Sequence, residues 1–261
     1  MPLEDYLKTM EFFAASGCRA VTITGGGEPT LHKNINKILS GTASLGLQMG
    51  MVTNGLSINS VNDYEMRLLT WCRISFSDDR EFSQQFICNI IDAINAAPEV
   101  DWAFSYVLTA KPNYVNLARL IVLANELKFT HVRIVTDLLD LDGVPDMGEV
   151  KTKLAELGVN DSLVIYQGRK EYTPGAKRCL ISLIKPVISA DGGWYPCCGV
   201  QYAQDTPSAD FDASMCMGKD YREITKNQHN FDGSQCVRCY YGDYNQTLAA
   251  IIDPVAHGFF V

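Results

Sequence analysis

Val21-Thr22-Ile23-Thr24-Gly25-Gly26-Gly27-Glu28-Pro29-Thr30-Leu31 is a β-branched run that stops on three glycines. Val21 to Thr24 have the composition of a buried strand. Gly25, Gly26 and Gly27 then open backbone conformations closed to residues with a Cβ, and they let a ligand lie against bare main chain. Glu28 sets a negative charge beside that backbone, followed by Pro29 and Thr30. Taken alone, three glycines also suit an ordinary strand-to-helix turn.

Outward from this turn, helical and strand periodicities alternate. Residues 3–16 form an amphipathic helix with Leu3, Leu7, Met10 and Phe13 near helical spacing. Strand 20–24 follows, then helix 33–45, strand 47–53, helix 60–70 and strand 72–77. Helix 80–96, strand 102–108, helix 114–128 and strand 131–135 complete the series. Strands alternating with helices imply an α/β fold, with a parallel sheet and right-handed crossovers. Residues 1–140 are therefore expected to form one domain. From 141 to 178 the pattern loosens into a bridging segment, with a short helix at 147–157 and an extra strand at 163–166. Residues 179–261 form a cysteine-rich end.

The composition narrows the function. With 261 residues, 47% of them hydrophobic, the chain buries a full core. A net charge of −8 without a basic cluster argues against a nucleic-acid surface. No apolar run approaches the roughly 20 residues of a membrane span, and the N-terminus lacks the charged-then-apolar order of a signal peptide. A cytoplasmic location is expected. Nine cysteines, six of them after residue 178, suit a metal site in a reducing compartment better than a disulfide framework.

Cys236-Val-Arg-Cys239 places two thiolates on one tight turn, within reach of a common centre. Cys179 and Cys197 complete a four-thiolate set, which suits an iron–sulfur cluster or a structural zinc. Zinc ribbons usually pair two Cys-x2-Cys knuckles, whereas 17 residues separate Cys179 from Cys197. Cys198 and Cys216 are the substitutes. Cys18, Cys72 and Cys88 fit buried small hydrophobes. His32, His131, His229 and His257 have no metal-ligand spacing.

The Gly-Gly-Glu-Pro turn, with Thr53-Asn54-Gly55 two elements on, resembles the radical S-adenosylmethionine (SAM) enzymes. That resemblance implies a partial (β/α)6 TIM-like barrel, here opening on a helix and so missing its first strand. It implies that SAM docks along the C-terminal ends of the strands, at Gly25, Gly26, Gly27, Glu28, Pro29, Thr53 and Asn54, with Ser75 and Asp78 on the ribose side. The cysteine order is similar to the C-terminal SPASM or twitch modules of that family. There, a first cysteine follows the barrel, an Asp-Gly hairpin ending in Pro-Cys brings the second, and a Cys-x2-Cys closes the site. Ile188 to Cys197 match the hairpin, and Met217 to Ile224 match the glycine-plus-helix stretch. Cys179, Cys197, Cys236 and Cys239 would then ligate an auxiliary [4Fe–4S] cluster.

One departure is plain. The family's Cys-x3-Cys-x2-Cys loop, which ligates the SAM-cleaving [4Fe–4S] cluster, occurs nowhere in the sequence. The resemblance therefore implies a radical SAM-type enzyme acting on a peptide or small-molecule substrate, provided a preceding segment or companion chain supplies that second cluster. A companion chain or a second copy of this one would also cover the sheet edge left by the absent strand. The alternative is a non-catalytic, metal-stabilised α/β scaffold that binds SAM, a peptide or a protein.

Overall fold

α1 (Leu3–Ala15) carries Glu4 and Asp5 in its first turn, where the helix dipole favours acids, and leads into β1 (Ala20–Ile23). α2 (Ile35–Ser44) and β2 (Gln48–Thr53) follow, then α3 (Asp63–Met66) and β3 (Trp71–Ser77). α4 (Gln84–Ala96), β4 (Asp101–Leu108), α5 (Tyr114–Glu126) and β5 (His131–Thr136) continue the alternation, and α6 (Met147–Glu156) and β6 (Val164–Gln167) end it. In this computed structural model the described residues are 1–137, 142–168, 173–199, 215–220, 231–236 and 239–252. They divide into two units, Met1–Lys170 and Glu171–Val261.

The first unit is one parallel sheet in the order β1-β2-β3-β4-β5-β6, with registers such as Ile74↔Phe104 and Phe104↔Val132. Period-two alternation sorts its faces. Met49, Met51, Cys72, Ile74, Phe76, Phe104, Tyr106, Val132 and Ile134 are buried in one core with Leu39, Phe86, Ile90, Leu117 and Leu120 of the helices. The intervening residues, including Arg73, Ser75, Ser105, His131 and Arg133, occupy the opposite face. Among the described residues β1 and β6 each pair on one side only, so the sheet is open: an α/β TIM-like arrangement without closure.

Three expectations are corrected. The helix expected over 60–70 is a 3-10 turn at Ile58–Ser60 followed by the four-residue α3. Val61 and Asn62 are extended between them, because the Asn62 N–H donates to Asn36 Oδ1 (2.9 Å) and its side-chain amide to Glu65 Oε2 (2.9 Å). Helix 80–96 begins only at Gln84, capped by Ser83; side chains of Asp78 and Arg80 hold the preceding loop. The stretch 147–167, read as part of a bridge, lies in the first unit. Asp146 caps α6 by accepting from the N–H groups of Gly148 and Glu149, and β6 adds a sixth strand beside β5.

In the second unit a four-residue helix, α7 (Ile181–Ile184), precedes the antiparallel hairpin β7 (Val187–Ile188) and β8 (Trp194–Tyr195). Gly192 turns the hairpin at φ +86°, and Asp191 Oδ1 accepts from the Gly193 N–H (3.0 Å). Trp194 is fully buried, and Met217 and Gly218 bond its backbone as a short third run. The helix expected after Gly218 reaches into 221–224, outside the described residues. A last helix spans Gly242–Ile252. Among the described residues no helix is long and apolar enough to cross a membrane.

Candidate functional site

The glycine turn lies at the C-terminal ends of the parallel strands, where α/β folds place ligands. Gly25, Gly26 and Gly27 are exposed, and Gly26 and Gly27 have φ of +86° and +124°, values that side chains with a Cβ resist. Glu28 is pinned rather than free. Its Oε1 accepts from Thr30 N (3.1 Å), Thr30 Oγ1 (2.7 Å) and Thr53 Oγ1 (2.6 Å), and its Oε2 from Asn54 N (2.6 Å). The carboxylate therefore ties the β1 turn to the end of β2, with Pro29 opening a 3-10 turn behind it. Thr53 is buried, and Ser75 Oγ donates to its carbonyl (3.3 Å).

Arg80, which the sequence reading missed, closes this rim. Its guanidinium donates to the carbonyls of Ser75 (2.6 Å) and Asn54 and lies over the rings of Phe76 and Phe86. Burial draws its pKa down, and the negative charge of Glu28 opposes that shift. Asp78 faces the next strand: its carboxylate accepts from Tyr106 Oη (2.6 Å), Thr109 N (2.6 Å) and Asn113 N (2.9 Å). Burial, then the bond and charge of Asp78, push the Tyr106 phenol up, so Tyr106 is a permanent donor. Glu28, Thr53, Asn54 and Ser75 thus meet through hydrogen bonds, while Asp78 anchors the β4–α5 loop.

In the second unit Cys179, Cys197, Cys236 and Cys239 line one small cavity of about 20 Å³, with Pro196 and Tyr240 among its walls. Two glycines bring them together. A Cβ on Gly175 would stand 2.0 Å from the Gly233 carbonyl oxygen, and one on Gly233 would stand 2.3 Å from the Ala176 oxygen. The backbones flanking Cys179 and Cys236 therefore press directly on each other. Gly175 N donates to Cys236 O (2.7 Å), and Cys239 N to Thr173 O (2.6 Å). Buried Asn245 clasps the other side, donating to Arg178 O (2.9 Å) and accepting from Leu180 N (2.6 Å), one residue either side of Cys179. None of these three residues was singled out from sequence. A clash seen only across 58 positions leaves no local signal.

Burial, and then the nearness of other thiols, push the thiols of Cys197 and Cys236 up to about 12. For Cys197 those neighbours include Cys198, Cys179 and Cys236; for Cys236 they are Cys179 and Cys239. Burial thus disfavours the thiolate forms of Cys197 and Cys236. Among the described residues no three His, Cys, Asp or Glu side chains group tightly enough to hold one metal ion. Cys198 is exposed, 3.0 Å from Tyr241 Oη, and Cys216 Sγ lies against Gly193 on the hairpin rather than in the cavity lining. Cys72 is buried beneath the sheet, Cys88 is exposed on α4, and Cys18 donates to Ala20 O. His32 Nδ1 accepts from Asn34 N in a turn; His229 and His257 lie outside the described residues.

The fold is similar to that of solved structures. Streptococcus suis SuiB bound to S-adenosylmethionine matches with a TM-score of 0.52 at 16% identity, covering 90% of this chain and 70% of that one. SuiB bound to precursor peptide SuiA matches with a TM-score of 0.53 at 16% identity, over 90% of this chain and 69% of that one. No protein-family model and no curated protein sequence matches the chain. At this identity the likeness establishes the fold.

Proposed function

We propose that this is a radical SAM-type protein that docks SAM against Gly25–Glu28 and carries one auxiliary [4Fe–4S] cluster on Cys179, Cys197, Cys236 and Cys239. The observation that carries the reading is the coincidence of two parts on one chain. The exposed tri-glycine turn ends β1 of a sheet similar to SAM-bound SuiB, and the four predicted thiols line a single cavity. Bare backbone at Gly25–Gly27 suits the ammonium and carboxylate of the methionyl group. Glu28, held by four donors, positions that backbone.

The thiol set favours a cluster over zinc on grouping: among the described residues no three such side chains stand close enough to hold one metal ion. A tetrahedral zinc needs its sulfurs within about 4 Å of each other, from Zn–S bonds near 2.3 Å. A cubane is itself larger and bridges thiols that are not grouped so tightly. The void as it stands has room for about one water, so a cluster would fit only with the thiols further apart. When bound, such a cluster supplies one-electron chemistry or an open iron for a substrate group.

The SAM-cleaving cluster has no ligand set here: Cys18, Cys72 and Cys88 are dispersed across the first unit. An enzyme of this kind would need those thiolates supplied by a preceding segment or a companion chain. A peptide is the favoured substrate, since SuiB has been solved with its precursor peptide. The dispersal of those three cysteines also supports a second reading, a SAM-binding scaffold without catalysis.

Anaerobic reconstitution tests the proposal. We expect about four irons per chain, and SAM binding by calorimetry that Gly27→Val abolishes without loss of iron. One zinc with no iron defeats the cluster assignment, and unchanged SAM affinity in Gly27→Val defeats the docking assignment. Reductive SAM cleavage only after a Cys-x3-Cys-x2-Cys partner is added separates the enzyme from the scaffold.

A further inference from the structure

The opposite end of the same sheet holds a second cavity, of about 290 Å³, lined by Trp71, Arg73, Asp101, Ala103, Thr130 and His131. Trp71, Asp101 and His131 are the first residues of β3, β4 and β5. The cavity therefore sits at the strands' N-terminal ends, about 20 Å along β3 from its last residue. Its volume approaches the small end of ligand pockets, roughly 300 Å³.

The chemistry of the lining is specific. Arg73 lies over the Trp71 ring, 5.0 Å from its centroid, and the ring itself fills the space a Cβ on Gly50 would need, 2.0 Å away. The Arg73 Nε is buried and finds no acceptor among the described residues. Burial, and then the like charge of Arg133, pull the Arg73 pKa down, so the folded chain pays for keeping this cation here. Burial and both arginines lower the His131 pKa, while Asp101 opposes them. Among the lining residues the charged side chains are Arg73 and Asp101. The buried Arg73 Nε calls for one acceptor, and the Asp101 carboxylate disfavours a multiply charged one.

We propose that this cavity binds a monoanionic carboxylate carrying a flat apolar group, the carboxylate on Arg73 and the apolar part against Trp71. The guanidinium fork matches a carboxylate in two parallel hydrogen bonds, and the indole gives the remainder an apolar wall. The site stands on the first unit alone and does not depend on the SAM reading.

The test uses the full chain and three probes: benzoate, its neutral isostere benzamide, and inorganic phosphate. Benzoate is expected to raise the melting temperature and shift the Trp71 indole N–H resonance, assigned by its loss in Trp71→Phe. Benzamide should do neither. Arg73→Met should keep or raise the ligand-free melting temperature, because it removes a buried cation, and bind benzoate about tenfold or more weakly. Arg73→Lys, which keeps charge without the fork, should fall between. Absence of any benzoate response, an equal response to benzamide, or undiminished binding in Arg73→Met overturns the proposal. Phosphate bound in preference to benzoate overturns the monoanion assignment. Should Arg73→Met fail to fold, the wild-type contrast between benzoate and benzamide still decides.

Discussion

In the first unit a continuous apolar core runs from Ile35 on α2 to Leu154 on α6. In the second, the corresponding cluster is Met215 and Cys236, with Tyr195, Cys197 and Phe231 packed against them. Two of those five residues are proposed metal ligands. A parallel sheet buried under helices stabilises itself by removing apolar surface from water. Among the described residues the cluster of the second unit is much smaller, and small units commonly depend on a metal. The two proposed sites differ in the same way: hydrogen bonds tie Glu28 to Thr53 and Asn54 at the end of β2, whereas the four thiols line one small cavity.

The sharpest break of this contrast is Cys236→Ala combined with Cys239→Ala. Iron content should fall to near zero, and hydrogen exchange should show residues 173–199 opening while the strands of the first unit keep their protection. Joint unfolding of both units would mean that their stabilities are coupled. Next in size, Phe104→Ala should cost about 3–5 kcal/mol by denaturant unfolding, with iron content unchanged, because Phe104 is fully buried against Phe129. Gly175→Ala should cost about 2–3 kcal/mol in the second unit and lower its iron occupancy, since the new Cβ meets a backbone carbonyl that cannot swing aside. In Glu28→Gln an amide donor replaces an oxygen that receives either three bonds or one. The expected loss is about 1–3 kcal/mol in the first unit, with weaker SAM binding and intact iron.

The smallest effect concerns the metal-free hairpin. Hydrogen bonds from Ser189 and the Gly193 N–H, with Lys219 nearby, hold the exposed Asp191 carboxyl at about 2, below its ordinary 3.8. A depressed folded-state pKa stabilises above 3.8, and that contribution is lost as pH falls from 3.8 toward about 2. Exposure and salt screening keep the effect small. The Trp194 fluorescence of the apoprotein should follow this transition, and Asp191→Asn should remove it.

The strands were legible because alternation of apolar and polar residues reports which face is covered, and Cys72-Arg73-Ile74-Ser75-Phe76 does so in five residues. The tri-glycine turn and the cysteine spacing were legible because few other residue types tolerate those positions. The helix expected over 60–70 is interrupted because Asn62 donates to Asn36, far away in the chain, and to Glu65, and these bonds override weak periodicity. The helix and strand of 147–167 are legible in sequence, but their place in the first unit rests on the pairing of β6 with β5, which no local pattern reports.

Sequence alone determined the strand–helix alternation and the glycine-rich turn, since each depends on residues close in the chain, and its cysteine spacing singled out the four thiols that line one cavity. Tertiary structure decided which groups serve them. Arg80 spanning two strand ends, Gly175 against Gly233, Asn245 bracketing Cys179 and Arg73 buried over Trp71 are all contacts or environments made by folding. Their chemistry follows from distance in space, which separation along the chain does not encode.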